Sequence, residues 1–200
     1  MTVELESQPL ETQFASRKLR LGVMCSGNGS NFENIVRTCQ KDEVVVMVHN
    51  KEKCGAAKRA DKLGIPHTHI KSKKEDLIID VMRAWKVDLI VLAGWMKIIS
   101  PKLIEAFPNK IINLHPSMLP KYKGLHAIER ALESGDQLTG VSVHYVNEEL
   151  DGGEIILQRE VPILADDDID SLTKAIQRME YSLLPKAIEH VKKKIQTRAN

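Results

Sequence analysis

Apolar and polar positions follow two different patterns along the chain, and the change falls near Gly135. Before it, short apolar runs typical of strands covered on both faces alternate with segments that have the apolar spacing of helices. The predicted strands lie in KLRLGVMCS, EVVVMVHN, PHTHI, VDLIVLAG and KIINLHP. The predicted helices lie in FENIVRTCQ, GAAKRADKLG, SKKEDLIIDVMRAW, PKLIEAF and AIERALESG. This alternation predicts a parallel sheet with helices on both faces.

After Gly135 the pattern becomes strictly alternating. TGVSVHYV has the period of a strand, and DGGEIILQREVPIL is predicted as its antiparallel partner. An amphipathic helix over about residues 168–194 closes the chain. The predicted fold is therefore α/β: a Rossmann-like, mostly parallel sheet with helices on both faces, an antiparallel C-terminal strand pair and a long C-terminal helix. Residues 1–17 are polar and aperiodic and are predicted to be a flexible leader, with residues 18–200 forming a single domain.

Composition narrows the class of protein. The chain has 200 residues, of which 42% are hydrophobic and 28% charged, as in an ordinary globular domain. A net charge of +2 gives no reason to expect a nucleic acid or an anionic membrane as partner. Neither a membrane helix nor a signal peptide is predicted. Three scattered cysteines predict reduced thiols and a cytoplasmic setting, and His67 and His69 lack a third ligand for a metal.

Three polar motifs follow predicted strands, at the edge of a parallel sheet where ligands bind. The first is SGNGSN, in which Gly27 and Gly29 allow close backbone approach. The amides near Ser30 and Asn31 open a helix, where an anion is favoured. The motif lacks the third glycine of a dinucleotide site and the Gly-Lys-Ser/Thr of a P-loop. It therefore predicts a site for one phosphate monoester, with an ordinary capped turn as the alternative for this motif alone.

The motif NLHP follows the fifth predicted strand. Asn113 and His115 are two residues apart, so they face the same side, and both can donate to an oxygen that becomes negative. Asp151, in the turn LDGGEI, is the candidate carboxylate that would raise the pKa of His115 and favour the imidazolium. A structural histidine and a plain Asp-Gly-Gly turn are the alternatives, since neither motif is specific by itself. Ser117 has no obvious base, so no nucleophile is predicted.

Taken together, SGNGSN, VLAGWMKIISP, IINLHPSMLPKYKGLHA, GVSVHYV and ELDGGEIILQ resemble the glycinamide ribonucleotide transformylases of the formyltransferase superfamily. The resemblance runs in order from about Lys18 to the last helix. The middle motifs are common to the superfamily, whereas SGNGSN is typical of these enzymes and differs from the first turn of methionyl-tRNA formyltransferases. Neither the extra C-terminal domain of those enzymes nor the N-terminal regulatory domain of formyltetrahydrofolate deformylases is recognised in this sequence.

The resemblance implies transfer of a formyl group from 10-formyltetrahydrofolate to the amine of glycinamide ribonucleotide, a step of purine biosynthesis, without a metal. It implies catalytic residues Asn113, His115 and Asp151, phosphate-binding residues Gly29, Ser30 and Asn31, and substrate-binding residues Pro116 and Glu180. It also implies folate-binding residues Lys73, Met96, Lys97, Ile98, Ile99, Asn113, Asn147, Glu148, Glu149 and Leu150, and a cis Leu119–Pro120 peptide.

Some positions depart from the family. Lys97 stands where relatives often have arginine, so the charge is kept without the planar fork. The folate-contacting basic residue is assigned to Lys73, although KSKK leaves the alignment ambiguous. His126 is given only a weak role.

The expected partners are small-molecule substrates, and the expected assembly is a monomer or homodimer. Two other functions stay open. One is a formyltransferase of the same superfamily that acts on another amine, such as a sugar nucleotide. The other is a non-catalytic binding module, which would have no use for Asn113, His115 and Asp151 together.

Overall fold

A computed structural model describes residues 17–197 of the chain. The predicted leader, residues 1–17, lies outside the described residues except for Arg17. The division into a leader and a single domain therefore stays a prediction. Within residues 17–197, no helix is both long enough and apolar enough to cross a membrane.

Seven strands form one sheet in the order β3-β2-β1-β4-β5-β6-β7. The strands are β1 Arg20–Cys25, β2 Glu43–His49, β3 His67–His69, β4 Leu89–Leu92, β5 Ile111–His115, β6 Leu138–Tyr145 and β7 Ile155–Pro162. The helices are α1 Ser30–Thr38, α2 Gly55–Leu63, α3 Glu75–Ala84, α4 Pro101–Ala106, α5 Ala127–Glu133 and α6 Ile169–Thr197. Strands β1 to β5 pair in parallel, while β5–β6 and β6–β7 are antiparallel. The predicted fold class is confirmed.

Two apolar cores cover the faces of the sheet. One contains buried residues of α1, α2 and α6, and the other contains buried residues of α3 and α4. In β5, Ile112 and Leu114 belong to the α6-side core, whereas Ile111 belongs to the other. Because side chains alternate along a strand, Asn113 and His115 share the face of Ile111. They therefore point away from the long C-terminal helix.

Candidate active site

The register between β5 and β6 assembles the first part of the site. Asn113 lies directly opposite His144, and His115 lies opposite Ser142. Directly opposed residues of an antiparallel pair have neighbouring side chains on one face. Accordingly, Asn113 Nδ2 is 3.2 Å from His144 Nε2. His144 is thus a site residue that the sequence reasoning missed, because alternation reveals the face of a strand but not its register.

Asp151 reaches this pair from the connection between β6 and β7. Its Oδ1 accepts a hydrogen bond from Asn113 Nδ2 at 3.3 Å. Its Oδ2 lies 3.4 Å from His115 Nδ1, and both side chains are more than nine-tenths buried, with 8% and 7% exposed. His144 Nε2 is 3.5 Å from the same carboxylate. The three residues predicted to be catalytic therefore meet, with His144 as a fourth member of what we call the catalytic cluster.

The two glycines after Asp151 allow the chain to pack closely against its neighbours. Asp151 itself adopts the left-handed backbone, with φ of 47°. A Cβ on Gly153 would stand 1.7 Å from a backbone carbonyl oxygen at the end of β6, and a Cβ on Gly152 would overlap the Glu149 side chain. The glycines therefore provide room for the chain to return close to β6, and this return brings the carboxylate over the face of the sheet.

The charge state of Asp151 is set by its partners. Burial alone would raise its pKa, but the hydrogen bonds from His144 and from the Gly124 N–H, together with the nearby imidazoles, lower the pKa to about 2. The carboxylate is therefore ionised throughout the neutral range. It supplies a fixed negative charge inside the cluster.

For His115, burial has the largest effect and lowers the pKa below its ordinary value. The Tyr122 carbonyl and the Asp151 carboxylate act in the opposite direction, and His144 and Arg130 lower the pKa further. Asp151 was expected to raise the pKa of His115 and favour the imidazolium, whereas the net pKa in the ligand-free protein is lowered. The influence of Asp151 has the expected sign, but burial outweighs it.

Both ring nitrogens of His115 nevertheless face acceptors. Nε2 lies 2.9 Å from the Tyr122 carbonyl oxygen, and Nδ1 faces Asp151. A neutral imidazole carries one N–H and can donate to only one of these two acceptors, whereas an imidazolium can donate to both. The His115 ring can therefore take up a second proton, because an acceptor faces each of its nitrogens.

The loop after His115 contains the predicted prolines. Leu119–Pro120 is a cis peptide, as the resemblance implied. Pro116 is partly exposed beside His115. Ser142 Oγ donates to the Ser117 carbonyl at 2.6 Å and accepts from the Leu119 N–H at 3.2 Å. The loop is therefore tied to β6 at the position opposite His115.

The turn between β1 and α1 contains the predicted phosphate residues. Gly29 is the N-cap of α1, with φ of 74° and no side-chain cap. The first three helical N–H groups, of Ser30, Asn31 and Phe32, have no partner within a helix. A Cβ on Gly29 would lie 2.6 Å from both Cα and Cβ of Ala56, so α2 packs directly against this glycine.

Side chains of α6 brace the same turn. Gln177 Nε2 donates to Ser30 Oγ at 3.1 Å, which leaves the serine hydrogen free to donate elsewhere. Asn31 Nδ2 donates to Glu180 Oε2 at 2.8 Å. Asn31 Oδ1 is buried without a hydrogen-bond partner among the described residues. Burial raises the pKa of Glu180, and the bond from Asn31 only partly opposes this. Predicted phosphate and substrate residues thus meet, and the bond to Glu180 uses one of the two hydrogens of the Asn31 side-chain amide.

The segment after β4 borders the catalytic cluster, because Leu92 pairs with Asn113. Met96 and Ile98 are 58% and 77% exposed, and Lys97 is also exposed. Ile99 is buried in the core, so only its backbone is available to a ligand. The Met96 N–H is already bonded to Ser26 Oγ at 2.8 Å, and this contact ties the segment to the end of β1.

The remaining predicted folate residues flank this segment. Lys73 is exposed two residues before Glu75, whose carboxylate accepts from both the backbone N–H and the hydroxyl of Ser100. The start of α3 is thereby held beside the end of the exposed segment. On the other side, Asn147, Glu148, Glu149 and Leu150 are all exposed.

Leu150 is 52% exposed, and its side chain lies beside Gly124. Lys123 forms a 2.6 Å ion pair with Glu149. Exposed apolar side chains therefore stand on two sides of the catalytic cluster.

The predicted histidine pair lies elsewhere. His67 Nδ1 is 3.2 Å from His49 Nε2, and His67 Nε2 is 3.0 Å from Asp61, at the opposite edge of the sheet. Over residues 17–197, no group of three or more His, Cys, Asp or Glu side chains is placed to hold a metal ion.

The chain is similar to proteins of known family over most of its length. Residues 19–188 match the formyl transferase family. Phosphoribosylglycinamide formyltransferases of Haemophilus influenzae and Escherichia coli K12 are each 39% identical over 181 residues, with 85% of both chains covered.

Solved structures agree with the sequence comparison. The phosphoribosylglycinamide formyltransferase of Anaplasma phagocytophilum superposes with a TM-score of 0.86 at 36% identity, covering 89% of each chain. The enzyme of Streptococcus pneumoniae superposes with a TM-score of 0.81 at 34% identity, covering 86% of this chain and 97% of its own. The chain therefore belongs to the formyl transferase family, within its group of phosphoribosylglycinamide formyltransferases.

Proposed function

We propose that the protein transfers a formyl group from 10-formyltetrahydrofolate to the amine of glycinamide ribonucleotide, a step of purine biosynthesis. The observation that carries this proposal is the meeting of Asn113, His115 and Asp151 from separate segments of the chain. Family membership supports a folate-derived formyl donor. The names of the similar enzymes support the phosphoribosylglycinamide as acceptor.

The phosphate of the acceptor binds at the start of α1. Three consecutive N–H groups without helical partners and the positive end of the helix dipole favour an anion there. The free hydrogen of the Ser30 hydroxyl adds a donor. Glu180 and the unpartnered Asn31 Oδ1 lie beside the turn and offer acceptors to hydroxyl groups of the ribose.

The folate occupies the apolar side of the catalytic cluster. Met96 and Ile98 on one side and Leu150 on the other present exposed apolar surface on which a flat ring system can pack. Lys73 and Lys97 are exposed cations near this surface and suit the carboxylates of a folate tail. The donor's formyl carbon then lies between the two substrates, beside Asn113 and His115.

The reaction begins when the acceptor amine attacks the formyl carbon and a new C–N bond forms. The carbonyl oxygen becomes an oxyanion, which accepts a hydrogen bond from the Asn113 amide. In the ligand-free protein this amide donates to Asp151 Oδ1 at 3.3 Å and its nitrogen lies 3.2 Å from His144 Nε2. These contacts are long, so the oxyanion can take up an amide hydrogen in a stronger, charge-assisted bond.

His115 transfers a proton between the two substrates. With the Nε2–H donating to the Tyr122 carbonyl, Nδ1 of the neutral ring takes up the proton that the amine loses on attack, and Asp151 beside it stabilises the imidazolium formed. The proton then passes to the folate nitrogen as its bond to the formyl carbon breaks and the carbonyl re-forms. The products are the formylated amine and tetrahydrofolate, so atoms and charge balance without a covalent enzyme intermediate.

The test is an assay of the purified protein with both substrates, following tetrahydrofolate release and the formylated product. We expect product with glycinamide ribonucleotide and none with an amino-sugar nucleotide, the alternative acceptor. Transfer only to the sugar nucleotide would replace the proposed acceptor, and no transfer to either would reject the function. Assembly as a monomer or homodimer and a cytoplasmic location stay predictions, and light scattering of the same sample tests the first.

A further inference from the structure

One short turn contacts both members of the His115–Asp151 pair. The Tyr122 carbonyl oxygen lies 2.9 Å from His115 Nε2, and the Gly124 N–H donates to Asp151 Oδ2 at 2.8 Å. Both residues of the turn have left-handed backbones, with φ of 56° and 81°. The backbone of residues 122–124 thus engages the imidazole and the carboxylate at the same time, through an acceptor for one and a donor for the other.

The Tyr122 side chain anchors this turn to the end of α5. Its phenol donates to Asp136 Oδ2 at 2.6 Å and lies 2.7 Å from Ser134 Oγ. Asp136 is also paired with Lys121 at 2.7 Å. A left-handed backbone at a tyrosine is unfavourable by itself, so these contacts hold the residue in a conformation that it would otherwise leave.

Other contacts hold the turn from its two sides. Arg130 donates to the Lys123 carbonyl at 2.7 Å, and its guanidinium lies 5.6 Å from the centre of the Tyr122 ring. Ser117 Oγ donates to the Lys121 carbonyl at 2.6 Å. These bonds restrain the peptides around Tyr122.

We propose that Tyr122 is a positioning residue: its anchored phenol holds the turn so that the Tyr122 carbonyl and the Gly124 N–H orient His115 and Asp151 for proton transfer. The consequence for catalysis rests on the proposed function, but the orienting contacts do not. A phenol that only stabilised the end of α5 would affect unfolding and leave the cluster unchanged. The two roles therefore differ in a measurable way.

The experiment replaces Tyr122→Phe, which keeps the ring over Arg130 and removes only the hydroxyl. We expect kcat to fall about tenfold with KM values within about twofold of wild type, because misplacing a catalytic group by roughly 1 Å costs up to about 10²-fold in rate. NMR titration should show the pKa of His115 falling and that of Asp151 rising, since the Tyr122 carbonyl raises the first and the Gly124 N–H lowers the second. The charged or titratable groups facing His115 are Asp151, His144 and Arg130, and the substitution alters none of them.

Tyr145→Phe is the matched control, because that ring faces Lys194 and the hydroxyl has no described role in the site. It should leave kcat and the His115 pKa unchanged. Asp136→Ala, which removes the acceptor of the phenol, should reproduce the effect of Tyr122→Phe, and the double variant should be no worse than either, as expected for one shared anchor. Wild-type pKa values for His115 and Asp151 in folded Tyr122→Phe would overturn the proposal, even if kcat fell. The titration remains decisive if the wild-type protein proves to have a different activity.

Discussion

The turn after β1 and the loop after β5 lie at the same edge of the sheet, but the roles of backbone and side chains are reversed between them. After β1, the backbone N–H groups at the start of α1 face the ligand, while the side chains of Gln177 and Glu180 brace the turn. After β5, the side chains of Asn113 and His115 face the ligand, while backbone groups of Tyr122 and Gly124 brace the cluster. Substitutions that add atoms should therefore be most harmful in the first region, and substitutions that remove a functional group should be most harmful in the second.

Asp151→Asn should have the largest effect on turnover. The variant removes the charge that stabilises the imidazolium formed during transfer, and one such electrostatic contribution is typically worth a factor of roughly 10² to 10³ in kcat. We expect KM for both substrates to change little, because the contribution belongs to the transition state. The unfolding midpoint should fall, because a carboxylate whose pKa is held near 2 stabilises the folded protein at neutral pH. Steady-state kinetics and an NMR titration of His115, whose pKa should fall further, provide the measurement.

Asp61→Asn is the matched control for this variant, because it removes a carboxylate that pairs with His67 at 3.0 Å outside the site. It should have wild-type kinetics. A wild-type kcat in Asp151→Asn would remove the carboxylate from the mechanism.

Gly29→Ala should have the largest effect on stability. The left-handed backbone costs an L-residue roughly 1–2 kcal/mol, and the new Cβ would overlap Ala56. We therefore expect a loss of roughly 2–3 kcal/mol in the free energy of unfolding, measured by urea denaturation. Gly27→Ala is the control, since a Cβ there meets nothing within 4 Å. Equal stabilities of the two variants would contradict the packing role of Gly29.

Ser30→Ala removes a side chain from the region whose chemistry we assign to the backbone. The loss of one hydroxyl donor, worth about 1 kcal/mol, should raise KM for glycinamide ribonucleotide about fivefold without changing kcat. Ser182→Ala, at an exposed position of α6, should leave KM unchanged. A KM increase of more than about a hundredfold would mean that the hydroxyl, and not the helix start, carries the phosphate.

The pH dependence of kcat/KM should be the smallest of these effects. Burial lowers the pKa of His115, so the imidazolium loses its proton at a pH below the ordinary histidine pKa of about 6.5. As pH rises through this pKa, kcat/KM should rise with the fraction of neutral ring and then level off. An NMR titration of the free enzyme distinguishes His115 from the substrate amine. A pKa above about 6.5 would mean that Asp151 outweighs burial.

Much of this site follows from local features of the sequence. The apolar runs and helical segments identify a parallel sheet and hence the edge where ligands bind. Gly29 can be recognised as the end of a turn, and the spacing of Asn113 and His115 places them on one face of β5. The turn LDGGEI points to Asp151, and the resemblance adds Glu180. Their contacts to Asn113 and Asn31 join parts of the chain that no local pattern connects.

His144, Tyr122 and the charge state of His115 could not be predicted in the same way. Hydrophobic periodicity reflects which side of a helix or strand is covered, so it can be read directly from the sequence. It predicts the fold class and which side chains of each strand point toward the core. The register that places His144 opposite Asn113, the return of Asp151 over the sheet, and the burial of His115 depend on distant segments packing together. They follow from the tertiary structure, because pKa values and hydrogen-bond partners are set by neighbours in space and not by neighbours along the chain.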